Sequence, residues 1–211
     1  MPGRVLVAGV GNIFLGDDGF GVEAARRLAG AGLPDWVRVA DYGTSGMHLA
    51  YDMAEGYDTT ILIDAAPRGG KPGTVTVVEV GPGDREDLSA AGGAVQGSRL
   101  FDAHGMQPDV VFGVLDMLGA KAGRVLVVGC EPASAGYGIG LSQPVEAALD
   151  EAVRVVTDLV KTAGQEYGET AAGRDDRVAA GRDDRVAAGR DDGAAAPASA
   201  AGDPVSVNDE R

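Results

Sequence analysis

The chain carries 18 Lys and Arg against 32 Asp and Glu over 211 residues, a formal charge of −14 at pH 7. That length fits one domain and a tail, and so acidic a chain without a basic block excludes nucleic-acid binding and docking on anionic lipid. Its single cysteine, Cys130, excludes an internal disulfide framework and a multi-cysteine metal site.

The first element is a near-continuous apolar run from Arg4 to Val10, the pattern of a strand buried on both faces. It passes directly into Gly-Asn and then Asp17-Asp18. No apolar run approaches the ~20 residues of a membrane helix, and no cleavage site follows the first one, so neither membrane insertion nor a signal peptide is expected. A cytoplasmic protein is the expectation. Phe20–Leu28 reads as a helix. Val37–Ala40 is a short strand ending at Asp41, and Thr44–Glu55 a helix with Thr44 as its cap. Thr59–Ile63 is a second buried strand, ending at Asp64. Thr74–Val80 alternates in the β sense after the turn chemistry of Lys71-Pro-Gly-Thr74. Gln107–Leu118 fits a helix and Arg124–Val128 a buried strand. Ser142 reads as the cap of a last helix running to about Val160, with Pro144 in its first turn.

This order predicts the α/β class: three αβα layers around a mostly parallel, twisted five-stranded sheet, helices on both faces. Residues 1–162 form the expected domain. From 163 to 211 the composition shifts to Ala, Gly, Arg and Asp, with an eight-residue repeat from Ala171 to Ala194. That segment has too little apolar surface to offset its ordering entropy, so a disordered tail is expected. The tail holds 6 basic and 11 acidic residues, which leaves 12 and 21 in residues 1–162, a net of −9. Acidity therefore belongs to the domain as well.

In open α/β sheets ligands bind beyond the carboxyl ends of the strands. Three consecutive strands here deliver an acid to that edge: Asp17 and Asp18 after the first, Asp41 after the second, Asp64 after the third. The loop before the third helix adds His104, one of only two histidines. Converging carboxylates repel unless a cation or a shared proton intervenes. Two carboxylates and an imidazole make a three-ligand set for a borderline divalent metal, with open positions for substrate or water. A dinucleotide site is the competing reading of Gly9-Val-Gly-Asn12, but Phe14 stands where the third glycine of that fingerprint belongs. Ser45 lacks the flanking spacing of a nucleophile elbow, because Met47 holds the place of its second glycine. Cys130 ends a buried strand with no basic partner nearby, so it reads as core.

The run Gly9-Val-Gly-Asn-Ile-Phe-Leu-Gly-Asp-Asp-Gly-Phe-Gly21 resembles the N-terminal signature of the [NiFe]-hydrogenase maturation proteases. The resemblance continues through Asp41-Tyr-Gly-Thr-Ser-Gly-Met47, Ile61-Leu-Ile-Asp-Ala65, Asp102-Ala-His-Gly105 and Gly138-Ile-Gly-Leu-Ser142, in order and over about residues 4–160. It implies a nickel-dependent endopeptidase that removes a C-terminal extension from the hydrogenase large-subunit precursor once nickel is inserted. The nickel then belongs to the substrate, although other divalent metals could occupy the site. The family's metal-contacting residues fall on Asp18, Asp64 and His104. The first is often Glu in relatives, one methylene longer. Gly43, Thr44, Ser45, Gly46 and Met47 are expected to line the substrate cleft, where backbone must approach the peptide. Either the metal polarises the scissile carbonyl or activates a water, or the metal only positions the substrate and a carboxylate outside the ligand set, Asp41 or Asp17, activates the water. A monomer or weak oligomer is expected. Two other readings use the same residues: a Mg²⁺-dependent small-molecule hydrolase, and a non-catalytic nickel-binding assembly factor.

Overall fold

The computed structural model describes residues 3–81 and 108–180. Strands β1 (Val5–Val10), β2 (Val37–Gly43), β3 (Thr59–Ala65), β4 (Val75–Val80) and β5 (Arg124–Cys130) form one sheet in the order β2-β1-β3-β5-β4. All neighbours are parallel except β4, which runs antiparallel to β5 at one edge. The α/β class and the mostly parallel five-stranded sheet expected from the apolar runs are what the chain adopts.

The helices are α1 (Phe20–Ala29), α2 (Gly46–Ala54), α3 (Pro108–Met117) and α4 (Gln143–Ala180). Strand alternation sends Val5, Val7, Ile61 and Ile63 to one face, where they pack with Phe20, Leu28, Val145 and Val156 of α1 and α4. Leu6, Ala8 and Leu62 go to the other face and meet Leu49, Met53, Val111 and Leu115 of α2 and α3. The central strands β1 and β3 are buried along their whole length, which is why they read as unbroken apolar runs.

Three boundaries differ from the sequence reading, and each has a physical cause. Strand β2 continues through Asp41 to Gly43. Its pairing with β1 shifts between Gly9 and Val10, so that Gly9 faces Asp41 and Val10 faces Gly43. The irregularity leaves Tyr42 as an extra residue and re-aims the end of the strand. Helix α2 starts at Gly46 behind Ser45, not behind Thr44. Helix α4 does not stop near Val160 but runs on to Ala180. Ala163 is buried in the core, the Tyr167 hydroxyl donates to the Asp58 carbonyl (3.2 Å), and Glu166 pairs with Arg124. These anchors are single residues in a polar stretch, too sparse to create a periodic apolar signal. The chain divides into two compact units, Met1–Arg174 and Asp175–Arg211. Of the second, the described backbone is helical and ends at Ala180, so residues 181–211 of the expected tail lie outside the described residues.

Candidate active site

The strand order reverses direction between β1 and β3, and the crevice at such a switch point is where α/β sheets bind ligands. Above it lies the turn Gly16–Gly19, a single 3-10 turn leading into α1. Close packing seats that turn. A side-chain carbon on Gly21 would lie 2.0 Å from the Ile63 carbonyl oxygen and 2.4 Å from that of Val10. Only glycine lets the first turn of α1 rest directly on the ends of β1 and β3. Gly9, from the run that resembles a dinucleotide loop, serves the same contact, since a Cβ there would lie 2.3 Å from the Gly21 carbonyl oxygen.

In a 3-10 turn successive residues point about 120° apart. The neighbours Asp17 and Asp18 consequently face different partners. Asp18 turns toward the crevice, where its Oδ2 accepts the Asn12 N–H at 2.7 Å. Asp64, at the end of β3, is buried too, and its Oδ1 accepts the Ala65 N–H at 2.8 Å. The two meet around Gly11. A Cβ built there would lie 1.9 Å from the Asp18 carbonyl oxygen and 3.8 Å from Asp64 Oδ1, at a φ of +124° that itself requires glycine. Both carboxylates are more than nine-tenths buried, which is costly for charge without compensation.

Asp17 points the other way. It is 1% exposed. Its Oδ2 accepts the N–H groups of Ala133 (2.8 Å) and Ser134 (3.0 Å) and the Ser142 hydroxyl (2.9 Å), while Oδ1 accepts the Ser142 N–H (2.6 Å). Burial alone would raise its pKa, but the donors from Ser142, Ser134 and Ala133 outweigh it and hold the carboxyl below its ordinary value. Asp17 is therefore a clamp that ties the loop after β5 to the Gly16–Gly19 turn, not a free base. Ser142 does stand at the start of α4, but its hydroxyl serves Asp17.

Asp41 is exposed. Its Oδ1 accepts the Gly43 N–H (2.9 Å) and its Oδ2 lies 3.4 Å from Arg26 Nη2 of α1. The following segment reaches the same crevice, because the Gly43 carbonyl accepts the Gly11 N–H at 2.9 Å. Within it, Gly46 is buried, Thr44 and Met47 are exposed, and Ser45 Oγ pairs with His48 Nδ1 at 2.8 Å. Asp18, Asp64 and Gly43, at the head of the Gly43–Met47 segment, thus converge on Gly11. His104 lies outside the described residues. Among the described residues no group of three His, Cys, Asp or Glu side chains forms a metal cluster.

One acid was not singled out from the sequence. Glu131, directly after β5, is buried and accepts the N–H groups of Arg68 (2.8 Å) and Gly69 (3.0 Å). It fixes the loop that follows β3, next to Asp64. The signal was available, since Glu131 ends a strand at the carboxyl edge just as Asp41 and Asp64 do. Cys130 is buried as expected; burial first, then the negative charges of Asp17, Glu131 and Glu151, push its thiol up to about 12.

A protein-family model described as hydrogenase maturation protease matches residues 22–159. The chain is 35% identical over 159 residues to the hydrogenase expression/formation protein HupD of Rhizobium leguminosarum bv. viciae, covering 72% of this chain and 74% of that protein. It is 33% identical over 165 residues to the hydrogenase 2 maturation protease of Escherichia coli K12, covering 77% and 94%. Among solved structures, the hydrogenase maturating endopeptidase HybD from E. coli superposes with a TM-score of 0.63 at 32% identity, covering 76% of this chain and 94% of that one.

Proposed function

The chain belongs to the hydrogenase maturation proteases, a family of peptidases, and from that premise we propose that it removes the C-terminal extension of a [NiFe]-hydrogenase large-subunit precursor once nickel is in place. The observation that carries the reading is the pair of buried acids, Asp18 and Asp64, which meet at Gly11 through the Asp18 backbone carbonyl and the Asp64 carboxylate at the switch point of the sheet.

Two carboxylates at one crevice are ligands a divalent cation can use, and in this reading nickel arrives within the substrate. Asp18, Asp64 and His104 would hold it; the donor set of two oxygens and an imidazole nitrogen suits a borderline divalent metal. Bound there, the substrate's metal would position the scissile bond in the crevice. A precursor that brings the metal would gain these ligand contacts and a nickel-free one would not, which gives the order of events a physical basis. Asp41, oriented by Arg26 and the Gly43 N–H, is the carboxylate we assign to activation of the water. Gly43 lies beside Gly11, and the Gly43–Met47 backbone would run along the substrate chain.

The test incubates the protein with its cognate precursor, with and without nickel, and reads the precursor's C-terminal mass. Loss of a defined C-terminal peptide from the nickel-loaded form alone, abolished by Asp18→Asn and by His104→Ala, supports the assignment. Equal cleavage of the nickel-free precursor refutes nickel recognition, and an unchanged mass refutes the reading as a whole.

A further inference from the structure

The loops flanking the Asp17 clamp carry three large apolar side chains that the fold does not use. Phe14 is 61% exposed, Tyr137 98% and Ile139 82%. Scattered surface apolar residues need no explanation, but these three sit on one bonded framework. The Gly138 N–H donates to the Phe14 carbonyl (3.0 Å) and the Gly16 N–H to the Gly138 carbonyl (2.9 Å), so Tyr137 and Ile139 flank a residue paired with the Phe14–Gly16 segment. The Asp17 carboxylate pins both ends of the second loop, at Ala133 and Ser134 on one side and at Ser142 on the other. Loops held this firmly present their side chains without a backbone ordering cost on binding.

The charge pattern narrows what they present them to. From Val5 to Gly16 the sequence has no charged residue, and none falls between Glu131 and Glu146, in a chain that is 24% charged overall. Ile139 also lines a groove with Ile13, Leu141 and Leu149, whose charged walls, Glu23 and Glu146 against Arg26 and Arg27, carry both signs in equal number. The loops themselves offer a basic segment no counter-ion, and an apolar one three exposed side chains. The location narrows it further. Phe14 is four residues from Asp18, so their α-carbons lie within ~15 Å of each other. A chain whose scissile bond is held at Asp18 passes within reach of Phe14 and of the Gly138 segment bonded to it.

We propose that Phe14, Tyr137 and Ile139 form a recognition platform for an apolar stretch of the protein substrate lying beside its scissile bond. The assignment rests on the function proposed above. Aromatic side chains on rigid supports are the common anchors of protein interfaces, and the contact stabilises substrate and transition state alike, so it acts on KM and not on kcat.

The experiment compares the full-length wild type with Tyr137→Ser/Ile139→Ser, with Phe14→Ser and with Met117→Ser, a control at an 81% exposed position on α3. Cleavage of the nickel-loaded precursor is followed at low and high salt. The expected result is a KM raised roughly tenfold or more in the double variant, less in Phe14→Ser, with kcat and melting temperature unchanged and the KM ratio insensitive to salt. Met117→Ser matches the wild type. An unchanged KM in the double variant overturns the platform while leaving the protease reading intact. So does concentration-dependent self-association of the wild type that the double variant loses with KM unchanged, since the platform would then serve a second copy. If the wild type neither cleaves nor binds the precursor, the protease reading fails, and the proposed occupant with it.

Discussion

Replacing Asp17 by Asn tests whether one buried carboxylate holds the turn and the loop after β5 together. Its two oxygens receive four donors, at 2.6 to 3.0 Å. An amide offers only one acceptor oxygen. Placed at the Oδ2 position, it keeps the donors from Ala133, Ser134 and Ser142 Oγ, but as neutral bonds of about half the strength. With charge-assisted bonds at roughly 1.5–3 kcal/mol and neutral ones near 1, each of those three loses about 1 kcal/mol. The amide NH₂ then faces the Ser142 N–H, and that bond is replaced by two opposed donors. Non-additivity and relaxation of the loop bring the total to about 3–5 kcal/mol. For a domain of this size that lowers Tm by about 10 °C. Ser142→Ala removes one hydroxyl donor and costs about 1 kcal/mol. The pH dependence supplies a second reading. The folded Asp17 carboxyl lies below its ordinary value, so its contribution is complete above the unfolded pKa of about 3.9 and is lost as pH falls through the lower folded value. Urea unfolding of both variants and the wild type at pH 7 and at progressively lower pH measures all of this. The gap between wild type and Asp17→Asn should narrow in acid. A gap at pH 7 no larger than that of Ser142→Ala would falsify the clamp, as would a gap that stays constant below pH 4.

Gly11→Ala should abolish cleavage and cost several kcal/mol, about 4 or more, because the new methyl meets the Asp18 carbonyl at 1.9 Å in a left-handed backbone; a thermal melt and a precursor assay matching the wild type would refute it. Cys130 should resist alkylation at pH 8 in the native state and react once unfolded, since burial pushes its thiol up to about 12; native labelling at the rate of a free thiol would contradict this. A chain ending at Thr162 should melt well below one ending at Arg174, by about 2–4 kcal/mol, because it lacks the buried Ala163 and the Tyr167 hydrogen bond. Equal melting temperatures would show that the last turns of α4 contribute nothing.

The sheet was readable from the sequence because burial on both faces leaves unbroken apolar runs in β1, β3 and β5. The edge of β2 was not, since the shift at Tyr42 depends on pairing with β1 and leaves no local mark. The far end of α4 was missed for a related reason: Ala163, Glu166 and Tyr167 are anchored by Arg124, Asp58 and the core, partners distant in sequence. Among the acids, type and strand position sufficed to bring Asp18, Asp41 and Asp64 to one edge, but not to assign them work. Asp17 and Asp18 are chemically identical neighbours. A single 3-10 turn separates their directions, giving one carboxylate four protein donors and the other a place in the crevice. Direction within a turn is fixed by what packs beneath it, here Gly21 on the carbonyls of Val10 and Ile63. The acid that looks interchangeable in the sequence is thus sorted by glycines that carry no chemistry of their own. Exchanging the two acids' roles would require re-seating α1 on the sheet, so Asp18 cannot stand in for a lost Asp17, nor Asp17 for a lost Asp18.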